Sequence, residues 1–326
     1  TFKSPKSTQT TYKMIWMSDI QLVACGIYNA NEVLIVDKLN ETDLVIVGGD
    51  FAFDEGSTTT GLNWNTFFNR FEIISAYVPV TYTPGNHEAP PGIGYNGFLS
   101  DTAGTNSGSP DPVAYYSYDW SIVHIISLNT AIPLAPMVAW VLSDLAAVNR
   151  TKTPFILVYY HVPDILMKED MTVYYELGFA FDFYNVSLVI SGHVHQWVRS
   201  CEIVRDSTTT SHCQSYPTLN NVTNEYTYDL TSGTVYAIAG VTGQCYATFQ
   251  PFTSNFSLIN LEDKWGVAEL DVDEELQTMS FQFTDQVDGA ILDKYTLRYE
   301  EIILAANETV IANETVIANE TVIANE

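Results

Sequence analysis

An α/β fold is predicted by three features of the amino-acid sequence. Short apolar runs recur through its first two thirds. Longer amphipathic stretches separate them. Metal-ligating residue types stand at the ends of several runs, and an open α/β sheet gathers its strand ends in one crevice. Of the 326 residues, 46% are hydrophobic, ample for a buried core and too many for a disordered chain.

Residues 1–11 are polar and read as an arm. The run Met-Ile-Trp-Met makes residues 13–17 the first strand, and residues 31–39 form the first helix. Leu-Val-Ile-Val at 44–47 is apolar throughout, as a strand covered on both faces would be. Residues 64–77 follow as a helix, then a strand at 80–83. The next pairs are a strand at 122–128 with a helix at 137–148, and a strand at 155–160 with a helix at 172–184. Strands at 188–190 and 235–239 complete the alternation. Beyond about residue 200 helical periodicity stops, and segments 266–272, 278–284 and 295–302 are expected to be antiparallel strands closing a second sheet. No linker interrupts residues 12–304, so one domain is expected there. Residues 305–326 form a tail in which Asn-Glu-Thr-Val-Ile-Ala repeats.

Charge excludes two partner classes. Thirty-nine acidic against 13 basic residues leave a net charge of −26, which repels nucleic acid and anionic membrane. No apolar run approaches a membrane span. The four cysteines allow three pairings. Cys201 and Cys213 flank a short polar loop and are expected to bridge, leaving Cys25 with Cys245. N-glycosylation sequons begin at Asn40, Asn149, Asn185, Asn221, Asn255, Asn307, Asn313 and Asn319. Together with the low lysine content, these features predict a secreted, extracellular protein.

Five strand ends carry the chemistry. Asp19 follows the first strand and Asp50 the second. Asn86 and His87 follow the third, within Pro-Gly-Asn-His-Glu. His161 ends the 155–160 strand, and Gly192-His193-Val194-His195 ends the 188–190 strand. These residue types suit two metal ions of borderline N/O preference, with Asp50 shared between them. Such a pair lowers the pKa of a bridging water and clamps a phosphoryl group in line. His124, inside an apolar run, is expected to be structural.

Ser18-Asp19, Gly49-Asp50, Gly85-Asn86-His87-Glu88, His161 and Gly192-His193-Val194-His195 resemble the five signature blocks of calcineurin-like metallophosphoesterases. The similarity is greatest to purple acid phosphatases and extends through Tyr115–Tyr118, Val123–Leu128, Gly233–Tyr236 and Trp265–Ala268. It implies a four-layer sandwich of two mixed β-sheets flanked by helices. It also implies that Asp19 and His195 hold one metal, that Asn86, His161 and His193 hold the other, and that Asp50 bridges. His87 would bind the phosphate or protonate the leaving group. Two departures concern the metals. Where the family supplies an iron-binding tyrosinate this chain has Phe53, so iron, zinc or manganese is expected without a ferric-tyrosinate. Gln21 stands where relatives have Gly or His, and offers only a weak donor to metal or substrate. A third departure lies beyond His161, where Asp170 and Met171 stand near the place of a His pair in plant members.

The expected activity is therefore acid phosphatase-like hydrolysis of a small phosphate ester by a bridging hydroxide. The alternative is a catalytically weakened scaffold glycoprotein that builds an oligomer or filament. A period of six keeps each residue type on one face of a strand, so the tail is expected to join copies by strand addition.

Overall fold

A computed structural model describes residues 8–20, 27–53, 62–88, 108–111, 114–130, 132–166, 172–207, 210–243 and 254–299. Its early strands are β1 (Thr11–Met17), β2 (Leu44–Val47), β3 (Val80–Tyr82), β4 (Tyr116–Trp120), β5 (Val123–Ser127), β6 (Phe155–Tyr159) and β7 (Leu188–Ser191). The later ones are β8 (Trp197–Arg205), β9 (Ser211–Ser215), β10 (Thr218–Asn220), β11 (Glu225–Leu230), β12 (Thr234–Ala239), β13 (Ser257–Leu261), β14 (Gly266–Asp273), β15 (Thr278–Asp285) and β16 (Ile291–Tyr299). Among the described residues four α-helices accompany them: α1 (Ile27–Lys38), α2 (Leu62–Ser75), α3 (Ala135–Ala147) and α4 (Thr172–Phe183).

The strands form two mixed sheets. The first runs β10-β11-β16-β15-β14-β1-β2-β3, and the second β13-β8-β12-β7-β6-β5-β4, with β9 paired to β8. The alternation of side chains along each strand builds the layers. Met14 and Trp16 of β1 face Leu157 and Tyr159 of β6 between the sheets. Ile15 and Met17 face the other way, against Trp64, Phe67 and Phe71 of α2. Across the molecule Ile156 and Val158 meet Met137, Val141 and Leu177 of α3 and α4. The result is the expected four-layer sandwich. Segments 266–272 and 278–284 are strands as expected, but with β16 they extend the first sheet rather than close the second. The second sheet draws instead on β8, β12 and β13. No helix among the described residues is long and apolar enough to cross a membrane.

Polar stitches tie the sheets together. The Tyr116 hydroxyl donates to Tyr82 O at 2.8 Å and accepts from Tyr82 N at 3.0 Å, joining β4 to β3. Elsewhere Arg199 of β8 donates Nε and Nη2 to Asp293 of β16, both at 2.9 Å. Cys201 and Cys213 are bonded, with Cα atoms 5.7 Å apart, fastening β9 to β8. Cys25 and Cys245 lie outside the described residues, as do Gln21, Asp170, Met171, Asn307, Asn313 and Asn319. Asn40, Asn149, Asn221 and Asn255 are exposed, whereas Asn185 is buried.

His124 is structural, as expected. Its Nδ1 lies 2.8 Å from Asp119 Oδ1 and its Nε2 2.9 Å from Asp144 Oδ2. Burial pulls its pKa down, but Asp144 and Asp119 outweigh burial and raise it. A raised folded-state pKa stabilises most below the ordinary histidine value of about 6.5, and that stability is lost as pH climbs through the raised value. The melting-temperature gap between wild type and His124→Gln is therefore expected to shrink as pH rises from about 6 to about 9. A gap that widens over that range contradicts the imidazolium assignment.

Candidate metal centre

The carboxyl ends of both sheets converge. Asp19, Asp50 and Asn86–His87 come from β1, β2 and β3, and His161, His193 and His195 follow β6 and β7. Ligand atoms of Asp50, His161 and His193 lie within 4.8 Å of one another. Asn86 Oδ1 is 2.8 Å from His193 Nδ1 and 3.1 Å from His161 Nε2. His161 Nε2 is 3.1 Å from Asp50 Oδ2. On the other side His195 Nε2 is 3.3 Å from Asp19 Oδ1. Asp19 Oδ2 accepts the His193 backbone N–H at 2.9 Å, linking the two clusters.

Backbone geometry is specialised here. Asp19, Asp50, Phe53 and His193 all have positive φ, between 52° and 65°. Such conformations cost energy for residues with a Cβ and concentrate at functional sites. Glycine is needed where the backbone passes beneath a ligand. A Cβ on Gly85 would sit 2.0 Å from Asp50 Oδ1, and one on Gly49, whose φ is +97°, 2.4 Å from His161 Nδ1.

The electrostatics favour a cation. Burial raises the Asp19 pKa, yet His195, His161 and the Ser18 hydroxyl together hold it down at about 2. Burial lowers that of His161, but Asp50 and Asp19 lift it to about 10. Asp19 is thus anionic and, with its neighbours, draws protons onto His161 and His195 wherever a metal does not replace them. His195 Nδ1 is buried with no hydrogen-bond partner among the described residues, and Asp19 Oδ1 is buried with only the His195 Nε2 contact at 3.3 Å. His161 is oriented from behind, its Nδ1 2.8 Å from Gly48 O, which leaves Nε2 facing Asp50 and Asn86. Orphaned donor atoms, an oriented imidazole and a mixed N/O set fit a metal pair.

His87 borders the cluster. Its side chain is 30% exposed, and Nε2 lies 3.8 Å from Asp50 Oδ2. Phe53 stacks on its ring with centroids 4.4 Å apart. The sequence pattern did not single out the role of Glu88. Its buried carboxylate accepts the backbone N–H groups of Asp50, Phe51, Ala52, Phe53 and Gly85 at 2.9 to 3.0 Å. Those bonds hold the turn carrying Asp50 and Phe53 in its left-handed conformation. Burial, then Asp50, raises its pKa to about 7, against the pull of the Gly85 and Phe53 amides. In Glu88→Gln one oxygen becomes an NH₂ that opposes backbone donors. Metal affinity is expected to fall about 10- to 100-fold, measured by competition with a chelator.

A two-sheet sandwich with this donor set at its carboxyl strand ends is the arrangement expected of the metallophosphoesterase class. The chain belongs to the calcineurin-like phosphoesterase family, which matches residues 12–197. Within it the resemblance runs to purple acid phosphatases. The chain is 34% identical to purple acid phosphatase 1 of Ipomoea batatas over 155 residues, 42% of this chain and 32% of that protein. It is 28% identical to phosphoenolpyruvate phosphatase of Allium cepa over 240 residues, 68% of this chain and 45% of that protein. It thus spans less than half the length of these curated relatives. In fold it is similar to purple acid phosphatase PPD1 of yellow lupin seeds, with TM-score 0.67 and 19% identity over 93% of this chain and 56% of that one. It is similar also to GAP50, the anchor in the inner membrane complex of Plasmodium, with TM-score 0.62 and 12% identity over 93% of this chain and 95% of that one.

Proposed function

We propose that this protein is a secreted, metal-dependent hydrolase of small phosphate monoesters, acid phosphatase-like in chemistry. The observation that carries the reading is the convergence of Asp50, His161 and His193 within 4.8 Å, joined by Asn86 and flanked by the Asp19–His195 pair. Asp19 and His195 would hold one ion, and Asn86, His161 and His193 the other, with Asp50 shared. When bound, the pair would supply a nucleophilic water at neutral pH and Lewis acidity at the phosphoryl oxygens. The chain's own residues do the rest. Gly48 O fixes the His161 tautomer, and Glu88 fixes the turn that presents Asp50. His87, reachable from solvent and braced by Phe53, would bind the phosphate or protonate the leaving oxygen. Secretion is supported by the Cys201–Cys213 bond and by exposed sequons at Asn40, Asn149, Asn221 and Asn255.

Elemental analysis combined with p-nitrophenyl phosphate turnover between about pH 4 and 8 tests the reading. Two ions of iron, zinc or manganese per chain and saturable turnover are expected. Chains that hold no metal and hydrolyse nothing after reconstitution would overturn it. Because residue 53 is Phe, the metal-loaded protein is expected to show no intense visible charge-transfer band by absorption spectroscopy. A purple iron-loaded protein would contradict this.

A second reading is a scaffold glycoprotein with weakened catalysis. Its support is the GAP50 likeness, which covers 95% of that chain, together with the loss of the family's tyrosinate at Phe53. In that reading the hexads join copies into an oligomer or filament. Light scattering of the full chain and of a chain lacking residues 305–326 separates the two, since a metal-loaded monomer of unchanged size leaves the scaffold without its assembly.

A further inference from the structure

Asn31 is a buried amide of which only one half is partnered. It stands in the second turn of α1, fully enclosed, one turn before the Ile35 that packs α1 onto the first sheet. Its Oδ1 has no hydrogen-bond partner among the described residues. Such an oxygen destabilises a fold and calls for a reason. The reason lies in the other half of the amide. Nδ2 donates to Thr242 O, in the loop that follows β12 of the second sheet.

Thr242 is the middle link of a chain of bonds that ends on Asp19. Its Oγ1 accepts the Ser18 N–H at 3.1 Å, and its own N–H donates to Ser18 O at 3.3 Å. The Ser18 hydroxyl then donates to Asp19 Oδ2 at 2.6 Å. The same loop lies against that carboxylate, since a Cβ on Gly240 would come within 2.8 Å of Oδ2. With the His193 N–H at 2.9 Å, Oδ2 is held on two sides. Oδ1 is thereby the oxygen turned to His195 Nε2, 3.3 Å away. On the function proposed above, the ion at this end has Asp19, His195 and the shared Asp50 as its donors. A site with so few depends on how each donor is aimed.

We infer that Asn31 is a positioning residue: through Thr242 and Ser18 it aims Asp19 Oδ1 at the ion beside His195, and so sets the affinity for that ion separately from the other. The inference rests on the two-ion reading for the ion alone. The aiming of Asp19 belongs to the bare protein.

Imidazole nitrogen NMR on the full chain tests it, first stripped of metal and then in chelator-buffered zinc. Asn31→Leu keeps the volume and removes both the donor and the unpartnered oxygen. Its melting temperature is expected to stay within a few degrees of wild type. In the bare variant the His195 Nε2 signal is expected to shift while those of His124 stay. In zinc, half-occupancy at His195 is expected to need at least about tenfold more free metal than in wild type, with His161 and His193 within about threefold. Thr242→Val is expected to reproduce Asn31→Leu, and Thr242→Ser, which keeps the hydroxyl, to resemble wild type. An unmoved His195 signal in both Asn31→Leu and Thr242→Val would overturn the inference. So would equal weakening at all three imidazoles, which is what a general loosening of the fold produces. A wild-type chain whose imidazoles ignore zinc would sink the two-ion reading instead, and the bare His195 signal would then decide the aiming of Asp19 by itself.

Discussion

Asp50→Asn is expected to lower kcat/KM for a phosphate monoester by about a thousandfold or more, and to reduce the metal content below two ions per chain. Asp50 Oδ2 lies 3.1 Å from His161 and 3.8 Å from His87, while Oδ1 accepts the His87 backbone N–H at 3.1 Å. An amide keeps the shape and suits the left-handed backbone at this position, where φ is 52°. It removes the one negative charge that both ions would share. A metal pair contributes several kcal/mol to transition-state charge stabilisation, and each 1.4 kcal/mol is about tenfold in rate, so about three decades are at stake. Elemental analysis and steady-state kinetics read the two effects separately. A variant that keeps two ions and a tenth of the activity would remove Asp50 from the shared position. Unchanged circular dichroism excludes unfolding as the cause.

The second large effect concerns stability. Arg199 and Asp293 are buried between the sheets, and Arg199 Nη1 also donates to the Tyr228 hydroxyl at 2.5 Å. Tyr226 and Tyr295 present their rings to the guanidinium at 4.6 and 4.8 Å. Arg199→Leu strands the Asp293 carboxylate, and breaking a buried pair this way costs about 3–5 kcal/mol. In a domain of this size that is a melting-temperature loss of roughly 5–8 °C by calorimetry. Adding Asp293→Leu removes the stranded charge and is expected to restore most of the loss. A single variant that melts within about 2 °C of wild type would show that the latch carries little.

The sequence made the early half of the molecule legible because its strands are apolar on both faces. Residues 44–47 and 155–159 are entirely buried, between one sheet and one helix layer. β8 was hidden by Arg199 and Glu202, charges that are buried because partners elsewhere in the chain satisfy them, and by the buried Arg205 beside Asp182. β4 was hidden by its aromatic and polar mix, whose hydroxyls stitch one sheet to the other. The sheet membership of β14, β15 and β16 depends on pairing to β1, a long-range choice with no local signal. The ligand types at the strand ends could be read from sequence. Glu88 could not, because its role consists of backbone amides that fold back upon it.

Trp16 sets a dimension. Its ring fills the space above Gly48, where a Cβ would come within 2.2 Å of it, and its Nε1 donates to Ala239 O at 3.0 Å in the opposite sheet. It also stands edge-on to Tyr159, with centroids 5.9 Å apart. Carboxylates and Asn86 hang from one sheet and the histidines follow strands of the other, so the sandwich works as a calliper whose gauge block is this indole. Shaving the block would change the opening of the jaws, and with it the spacing between ions, without altering a single ligand. On the proposed two-ion reading, metal preference would therefore be open to retuning from the hydrophobic interior.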